Sequence, residues 1–226
     1  MSISAIIVAG GMGKRLGREI PKAFVPICDK ELFLYSAEIF DLMNFTEIVI
    51  VVPEVAIEQT KILTQNLKTK IIVVQGGKER HNSVENGIEK ASGETVLIHD
   101  AARPFITKNL VENLINTYKK SDFGGIICAN RIVDTVRKFE NSLCGPTINR
   151  DKLVAVGTPQ IFDKNILLDC FGKIDKLDKI PTDEAMLAQS FGHKVGWVTS
   201  SKMNFKVTTP EDIVLAEAIV KNGEIL

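Results

Sequence analysis

ISAIIV (residues 3–8), followed at once by AGGMGKR (residues 9–15), is the stretch that decides which fold this chain adopts. The first six residues predict a strand, and the three glycines that follow let backbone N–H groups approach a ligand closely. Lys14 and Arg15 lie inside the loop, and Lys22 comes shortly after it. Three cations beside a glycine-rich turn predict a site for a polyanion, and a triphosphate suits it best among common metabolites.

Two familiar phosphate-binding patterns do not fit this loop. The P-loop pattern requires Ser or Thr after Gly-Lys, but Arg15 follows Lys14 here. The dinucleotide-binding pattern requires a third glycine where Leu16 stands, and an acidic residue at the end of a second strand about 20 residues on. The glycines could also simply form a tight turn between a strand and a helix; the nearby cations favour the phosphate interpretation.

Composition limits the classes of protein that this chain can belong to. Its 226 residues suit a single domain, and its 28 basic and 28 acidic residues cancel, which disfavours nucleic-acid binding. We expect no membrane segment, because no apolar run reaches about 18 residues, and the N-terminus resembles no signal peptide. The four cysteines are widely spaced, with no zinc-binding pattern. Reduced thiols predict a cytoplasmic protein.

Strand-like and helix-like patterns alternate along the chain. Several of the apolar runs are rich in Val and Ile without alternation, as in strands that are buried on both faces. We predict strands at 3–8, 48–52, 71–74, 96–98, 125–129 and 195–198. We predict helices at 33–40, 55–67, 83–91, 108–120, 164–171, 183–190 and 210–221. The pattern predicts an α/β fold whose mostly parallel, twisted sheet has helices on both faces.

One region departs from this alternation. Residues 132–139 suit an extended strand, with Asp134, Val136 and Lys138 on one face and Val133, Thr135 and Arg137 on the other. A polar turn follows near Asn141-Ser142, and no amphipathic helix is visible up to Gln160. We predict that residues 133–156 form a protruding β-arm inserted into the single domain formed by residues 1–226. Because such an arm cannot bury both of its faces alone, we expect it to pack on another subunit. A long surface loop is the alternative.

Polar residues collect where predicted strands end, which is the edge at which open α/β sheets bind ligands. Gly76 and Gly77 follow one strand and permit close approach to a base or ribose, with Ser83 at the next helix. Asp100 follows another strand, where a carboxylate can hold Mg²⁺ on phosphates. Arg103 can bind a phosphate through two nitrogens, and Lys206 adds a further cation.

Taken in order, these motifs make the chain similar to the 2-C-methyl-D-erythritol 4-phosphate cytidylyltransferase family. The matching pieces follow the family order over nearly the whole chain: AGGxGxR (9–15), PK (21–22), GGxxRxxSV (76–84), HDAARP (99–104), DT (134–135), TPQ (158–160), TDEA (182–185), NxKVT (204–208) and PED (210–212). The resemblance implies a Rossmann-like nucleotidyltransferase that uses CTP, Mg²⁺ and a sugar-alcohol phosphate. The expected reaction is in-line attack on the α-phosphorus of CTP with loss of pyrophosphate.

The resemblance also implies roles for individual residues. The catalytic cations are Arg15, Lys22 and Lys206. Contacts with the nucleotide are expected from Ala9, Gly10, Gly11, Gly13, Gly76, Gly77 and Ser83. The second substrate is expected at Asp100, Arg103, Thr135, Arg150, Thr158 and Thr182, with the metal at Asp100. Thr135, Arg150 and Thr158 are expected to lie in the arm region and to reach a neighbour's active site, which implies an obligate homodimer.

Three alternatives remain open from the sequence. The Gly10-Gly11 pair is more typical of ribitol 5-phosphate cytidylyltransferases, whereas HDAARP and the Ser83-Val84 pair favour methylerythritol phosphate. A module that binds nucleotides without turnover would use the same loops. An NAD-dependent oxidoreductase is disfavoured because the third glycine is missing.

Overall fold

The computed structural model describes residues 1–11 and 20–223. The strands are β1 Ile3–Val8, β2 Pro26–Ile27, β3 Lys30–Glu31, β4 Glu47–Val52, β5 Ile71–Gln75, β6 Thr95–Asp100, β7 Gly125–Arg131, β8 Val136–Glu140, β9 Leu143–Ile148, β10 Val154–Asp163 and β11 Val195–Thr199. The helices are α1 Leu32–Asp41, α2 Ile57–Thr64, α3 Arg80–Lys90, α4 Lys108–Lys119, α5 Lys164–Phe171, α6 Glu184–Ser190 and α7 Pro210–Lys221.

Seven strands form the central sheet in the order β11-β7-β10-β6-β1-β4-β5. β1 pairs in parallel with both β4 and β6, and β11 pairs in parallel with β7. Only β10 runs the other way, antiparallel to β6 and β7. The carboxyl ends of β1, β4, β5 and β6 therefore lie at the same edge of the sheet, where the predicted site residues begin.

Side chains of the central strands alternate between two apolar layers. Ala5 and Ile7 pack with α1 and α4 on one face of the sheet, whereas Ile6 packs with α3, α5 and α6 on the other. A third cluster places Ile213 of α7 against Val25 and Phe105 near the site edge. Because both faces are covered, the central strands are mostly apolar without alternation, as predicted; the buried exceptions in β1 and β4, Ser4 and Glu47, are hydrogen-bonded to each other.

The predicted mostly parallel α/β fold and its helices on both faces are confirmed. Every predicted strand and helix has a counterpart, and the helix at 164–171 has the predicted bounds. The central strand β10 was not predicted. Its buried half contains Thr158, Pro159 and Gln160, and polar residues and proline are unusual in a central strand.

The arm is shorter than predicted. Val154 pairs with Arg131 of β7, so the last residues of the predicted arm, 154–156, belong to β10 of the central sheet. The protruding part is the antiparallel hairpin β8–β9, in which Asn141 and Ser142 form the turn with φ of 45° and 68°. Two positive φ values suit a tight hairpin turn. Its tip carries Phe139 and Leu143, with 83% and 75% of their surface exposed.

No helix within residues 1–11 and 20–223 is both long enough and apolar enough to cross a membrane.

Candidate active site

A pocket of about 710 Å³ opens at the carboxyl ends of β1 and β6. Its walls come from four stretches: the end of β1 and the loop after it, the entry to α3, the end of β6, and the residues just before α7. The lining residues are Val8, Ala9, Gly10, Gly11, Lys22, Ala23, Gly77, Lys78, Glu79, Arg80, Ser83, Asp100, Ala101, Ala102, Lys206 and Thr208. Two loops and two strand ends distant in sequence thus converge on one site.

The glycine wall of the pocket is built around the Ser83 hydroxyl. A Cβ atom at Gly10 or Gly76 would lie 3.1 or 3.0 Å from Ser83 Oγ, so a side chain would crowd that hydroxyl. Gly77 donates its backbone N–H to Ser83 Oγ at 3.1 Å, and a Cβ there would lie 2.3 Å from Cβ of Asn82. These glycines therefore leave room for the Ser83 hydroxyl and hold the loop close to α3. Gly10 and Gly77 line the pocket, whereas the predicted residue Gly76 does not.

Lys22 stands at the exit of the first glycine loop. Its backbone N–H donates to the Gly11 carbonyl at 3.0 Å, which closes the base of the loop. It opens a short 3-10 turn, Lys22–Phe24, whose Ala23 and Phe24 are buried, and Lys22 itself lines the pocket. The predicted residues Gly13 and Arg15 lie outside the residues that the structure describes.

Asp100 is held between two cations at the end of β6. Lys206 Nζ donates to Asp100 Oδ2 at 2.7 Å, and Arg80 Nε donates to Oδ1 at 3.1 Å. Burial alone would raise the pKa of Asp100, but the charges of Arg80 and Lys206 outweigh it and hold that pKa well below its usual range. Asp100 is therefore an ionised carboxylate at neutral pH.

Arg80 also binds Glu184, an ion pair that the sequence did not predict. Its Nη1 and Nη2 donate to the two oxygens of Glu184 at 2.7 and 3.2 Å. Each residue opens a helix, α3 and α6 respectively, so the backbone fixes both side chains. Both lie within the matched motifs, but the 104 residues between them give no local signal that they meet.

His99 and Thr158 form a hydrogen-bond chain beneath Asp100. The Asp100 N–H donates to Thr158 Oγ1 at 3.0 Å, and that hydroxyl donates to His99 Nδ1, 3.1 Å away. The His99 Nε2–H then donates to the Arg103 carbonyl at 2.9 Å. Burial is the main reason that the pKa of His99 falls to about 4, so the imidazole is neutral. The chain fixes the backbone at the end of β6.

The expectation that Thr158 lies in the arm and reaches a neighbour's site is wrong. Thr158 belongs to β10 of the central sheet, has only 4% of its surface exposed, and bonds to His99 and Asp100 of its own chain. A hydroxyl that is buried and paired within one subunit is not available to another. Thr158 holds the end of β6 through these hydrogen bonds and does not line the pocket.

The remaining predicted residues lie outside the pocket wall. The Arg103 guanidinium donates to the Asn204 carbonyl at 2.8 Å and lies against Gly157. Thr182 is exposed. Thr135 and Arg150 line a separate depression of about 320 Å³ beside the hairpin. The structure thus brings together Ala9, Gly10, Gly11, Lys22, Gly77, Ser83, Asp100 and Lys206, and it does not bring Arg103, Thr135, Arg150 and Thr182 to the same wall.

The described residues contain no cluster of three or more His, Cys, Asp or Glu side chains that could hold a metal ion. Mg²⁺ does not need one, because it is commonly held by one or two carboxylates together with substrate phosphates and water. Asp100 is ionised and lines the pocket, so its chemistry suits that arrangement. Mg²⁺ binding at Asp100 stays a prediction.

Glycine backbones, the lysines Lys22 and Lys206 and the ionised carboxylate of Asp100, all at the edge of this α/β sheet, are the site of a nucleotidyltransferase. The family model described as 2-C-methyl-D-erythritol 4-phosphate cytidylyltransferase (IspD) matches residues 3–222. The chain belongs to this family.

The similarity to individual relatives extends over nearly the full length of both chains. A 2-C-methyl-D-erythritol 4-phosphate cytidylyltransferase of Clostridium botulinum (strain Langeland) is 40% identical over 224 residues, covering 96% of this chain and 97% of that protein. One from Alkaliphilus oremlandii is 36% identical over 225 residues, covering 96% and 94%.

Solved structures agree with the fold. The crystal structure of 4-diphosphocytidyl-2C-methyl-D-erythritol synthase from Anaerococcus prevotii superposes with a TM-score of 0.85 at 27% identity, covering 97% of this chain and 98% of that one. The 2-C-methyl-D-erythritol 4-phosphate cytidylyltransferase from Thermus thermophilus gives 0.82 at 28% identity, covering 98% and 100%.

Proposed function

We propose that this cytidylyltransferase transfers CMP from CTP to 2-C-methyl-D-erythritol 4-phosphate and releases pyrophosphate, a step in non-mevalonate isoprenoid precursor biosynthesis. The observation that supports it most directly is one pocket that joins the glycine wall to Lys22, Asp100 and Lys206 in a chain that the family model matches over residues 3–222. The substrate named for the relatives is methylerythritol phosphate. Nothing in these comparisons favours ribitol phosphate.

The charges of the pocket suit this reaction. The attacking phosphate is already anionic and needs no strong base, so catalysis rests on positioning and on cancelling repulsion between two polyanions. Lys22 and Lys206 supply positive charge, and Ser83 with the glycine wall leaves room for the nucleotide. Asp100 would hold Mg²⁺, which would add charge on the triphosphate. No nucleophilic His or Cys is required.

An assay of pyrophosphate release tests the proposal and identifies the second substrate. We expect CTP and Mg²⁺ to yield pyrophosphate with methylerythritol phosphate at a kcat/KM at least about 10²-fold above that with ribitol 5-phosphate. Discrimination of about 10²-fold is typical between two substrates that differ in a few contacts with the same site. CTP binding without pyrophosphate release from either acceptor would instead favour the binding-module alternative. Faster turnover of ribitol phosphate would overturn the choice of substrate.

We further propose that the enzyme is a homodimer joined through the hairpin β8–β9. The support is the exposed apolar tip of this hairpin and the position of Thr135 and Arg150 at its base, outside their own subunit's pocket. Arg150 donates to the Val133 carbonyl, which keeps the base of the hairpin closed. A partner subunit that covers the tip would bury apolar surface that a monomer leaves in water.

A cytoplasmic location is proposed from the four cysteines, none of which forms a disulfide.

Replacing Phe139 with serine is expected to weaken the dimer without unfolding the subunit, because 83% of the Phe139 surface is exposed in the single chain. Burying a side chain of this kind contributes about 1.5–3 kcal/mol. Sedimentation velocity over a concentration series measures the shift. Val55→Ser, at an equally exposed apolar position on another part of the surface, serves as the control. Equal dimer stability in both variants would contradict the role of the hairpin.

A further inference from the structure

The Arg80 guanidinium joins the starts of two helices to the end of a strand. It binds Glu184 at the start of α6 through Nη1 and Nη2, and Asp100 at the end of β6 through Nε. Arg80 itself is the first residue of α3. The planar fork of an arginine can hold two carboxylates in fixed directions, whereas a lysine cannot. One side chain thus determines how three elements meet at the pocket.

The start of α6 is braced independently. Asp183 Oδ1 accepts from the Met186 N–H at 2.9 Å and caps the helix, while Gln160 of β10 donates to its other oxygen at 3.0 Å. Glu184 is therefore presented from a backbone that is already fixed. Its side chain has only 2% of its surface exposed, so the carboxylate cannot turn away to water. Glu184 is a rigid anchor for Arg80.

Stability alone does not account for burying these charges. Taking a carboxylate and a guanidinium out of water costs several kcal/mol per ion, and apolar residues of similar volume often stabilise a protein as well or better. The arrangement instead fixes Asp100: one of its oxygens accepts from Arg80 and the other from Lys206. Without Arg80 the carboxylate could rotate about its side-chain bonds, and the partly exposed Lys206 would move with it.

We propose that Arg80 is a positioning residue which, anchored by Glu184, orients Asp100 and through it Lys206 for cytidylyl transfer. The inference rests on the proposed function. Arg80 would act on the reacting groups through Asp100 and Lys206. Its loss should then lower turnover while leaving CTP binding measured without Mg²⁺ nearly unchanged, because the glycine wall around Ser83 is held by separate hydrogen bonds.

The test compares Arg80→Gln, Glu184→Gln, Lys206→Gln and the double variant Arg80→Gln/Lys206→Gln with the wild type. Misplacing a reacting group by about 1 Å costs roughly 10²-fold, so we expect kcat to fall on the order of 10- to 100-fold in Arg80→Gln, and less in Glu184→Gln. CTP affinity, measured by calorimetry without Mg²⁺, should change by less than about threefold. Lys61→Gln, which removes an exposed ion pair with Glu58, is the control and should leave kcat unchanged.

The double variant separates positioning from a general structural role. If Arg80 acts through Lys206, removing it from the Lys206→Gln enzyme should cost little, so the two effects should be far from additive. Additive losses, or a loss of CTP affinity comparable to the loss of kcat, would overturn the proposal. If Arg80→Gln does not fold, the same comparison is made with Glu184→Gln, Lys206→Gln and the double variant Glu184→Gln/Lys206→Gln. A wild type without pyrophosphate release would refute the proposed function instead.

Discussion

Replacing Lys22 with alanine is expected to lower kcat by a factor on the order of 10²–10³ or more, by analogy with the loss of one oxyanion-stabilising donor. Lys22 lines the same pocket as Gly10 and Gly11 and opens the short 3-10 turn Lys22–Phe24. The transferred α-phosphoryl gains charge in the transition state, and an ammonium in a partly enclosed site stabilises that charge better than water does. Steady-state pyrophosphate release measures the effect.

The Lys22→Ala variant should still fold. The backbone N–H of residue 22 that donates to the Gly11 carbonyl remains in alanine, and the buried Ala23 and Phe24 are untouched. Lys61→Ala, which removes an exposed lysine on α2, is the matched control and should turn over normally. Near-normal turnover of Lys22→Ala with an unchanged thermal midpoint would exclude Lys22 from the catalytic machinery.

The sheet was predictable because its strands repeat one simple physical pattern. Strands such as β1 and β4 are buried on both faces and therefore consist mostly of apolar, largely β-branched residues without alternation. β10 does not share that pattern: Val154–Gly157 is largely solvent-facing, and Thr158 and Gln160 use their polar atoms within the fold. Its antiparallel insertion depends on pairing with β6 and β7, which no local sequence window contains.

The site was predictable to the extent that it lies at strand ends. Asp100, Lys206 and the glycines are predictable because each lies at the end of an element or in the connection between two elements. The Arg80–Glu184 pair was not found, since it depends on how α3 and α6 approach across the sheet edge. Thr158 was assigned to the wrong element because the end of the arm and the start of β10 are both extended. Thr135 and Arg150 have no role that a single chain can reveal.

We expect His99 to make the stability of this fold sensitive to mildly acidic pH. Its imidazole is fully buried, accepts a hydrogen bond from Thr158 through Nδ1 and donates one to the Arg103 carbonyl through Nε2. The Phe40 ring packs against it in a T-shaped arrangement, with 5.7 Å between the two ring centroids. Burial lowers its pKa to about 4, and the nearby cations Arg103 and Lys206 act in the same direction. A protonated ring would also lose its hydrogen bond from Thr158, because Nδ1 could no longer accept.

We expect the free energy of unfolding to fall by about 2 kcal/mol between pH 7 and pH 5, and by about 3 kcal/mol in all once the pH is below about 4. The folded pKa lies near 4 and the unfolded value near 6.5. Between these pH values His99 is protonated in the unfolded chain but neutral in the folded protein. The contribution of His99 to stability is therefore fully present above about pH 6.5 and is lost as the pH falls towards 4. Urea denaturation at several pH values measures the slope.

The fit is restricted to pH 5–7 because paired carboxylates contribute at lower pH. Asp100 and Glu47 have pKa values below their ordinary ones, so their contribution to stability is present above those ordinary values and is lost only as the pH falls further. His99→Gln, which keeps a neutral polar side chain, should be less stable at pH 7 but should lose most of the slope between pH 7 and pH 5. His193→Gln is the control for histidine replacement. If the slope persists in His99→Gln, the acid sensitivity does not come from the hydrogen-bond chain beneath Asp100.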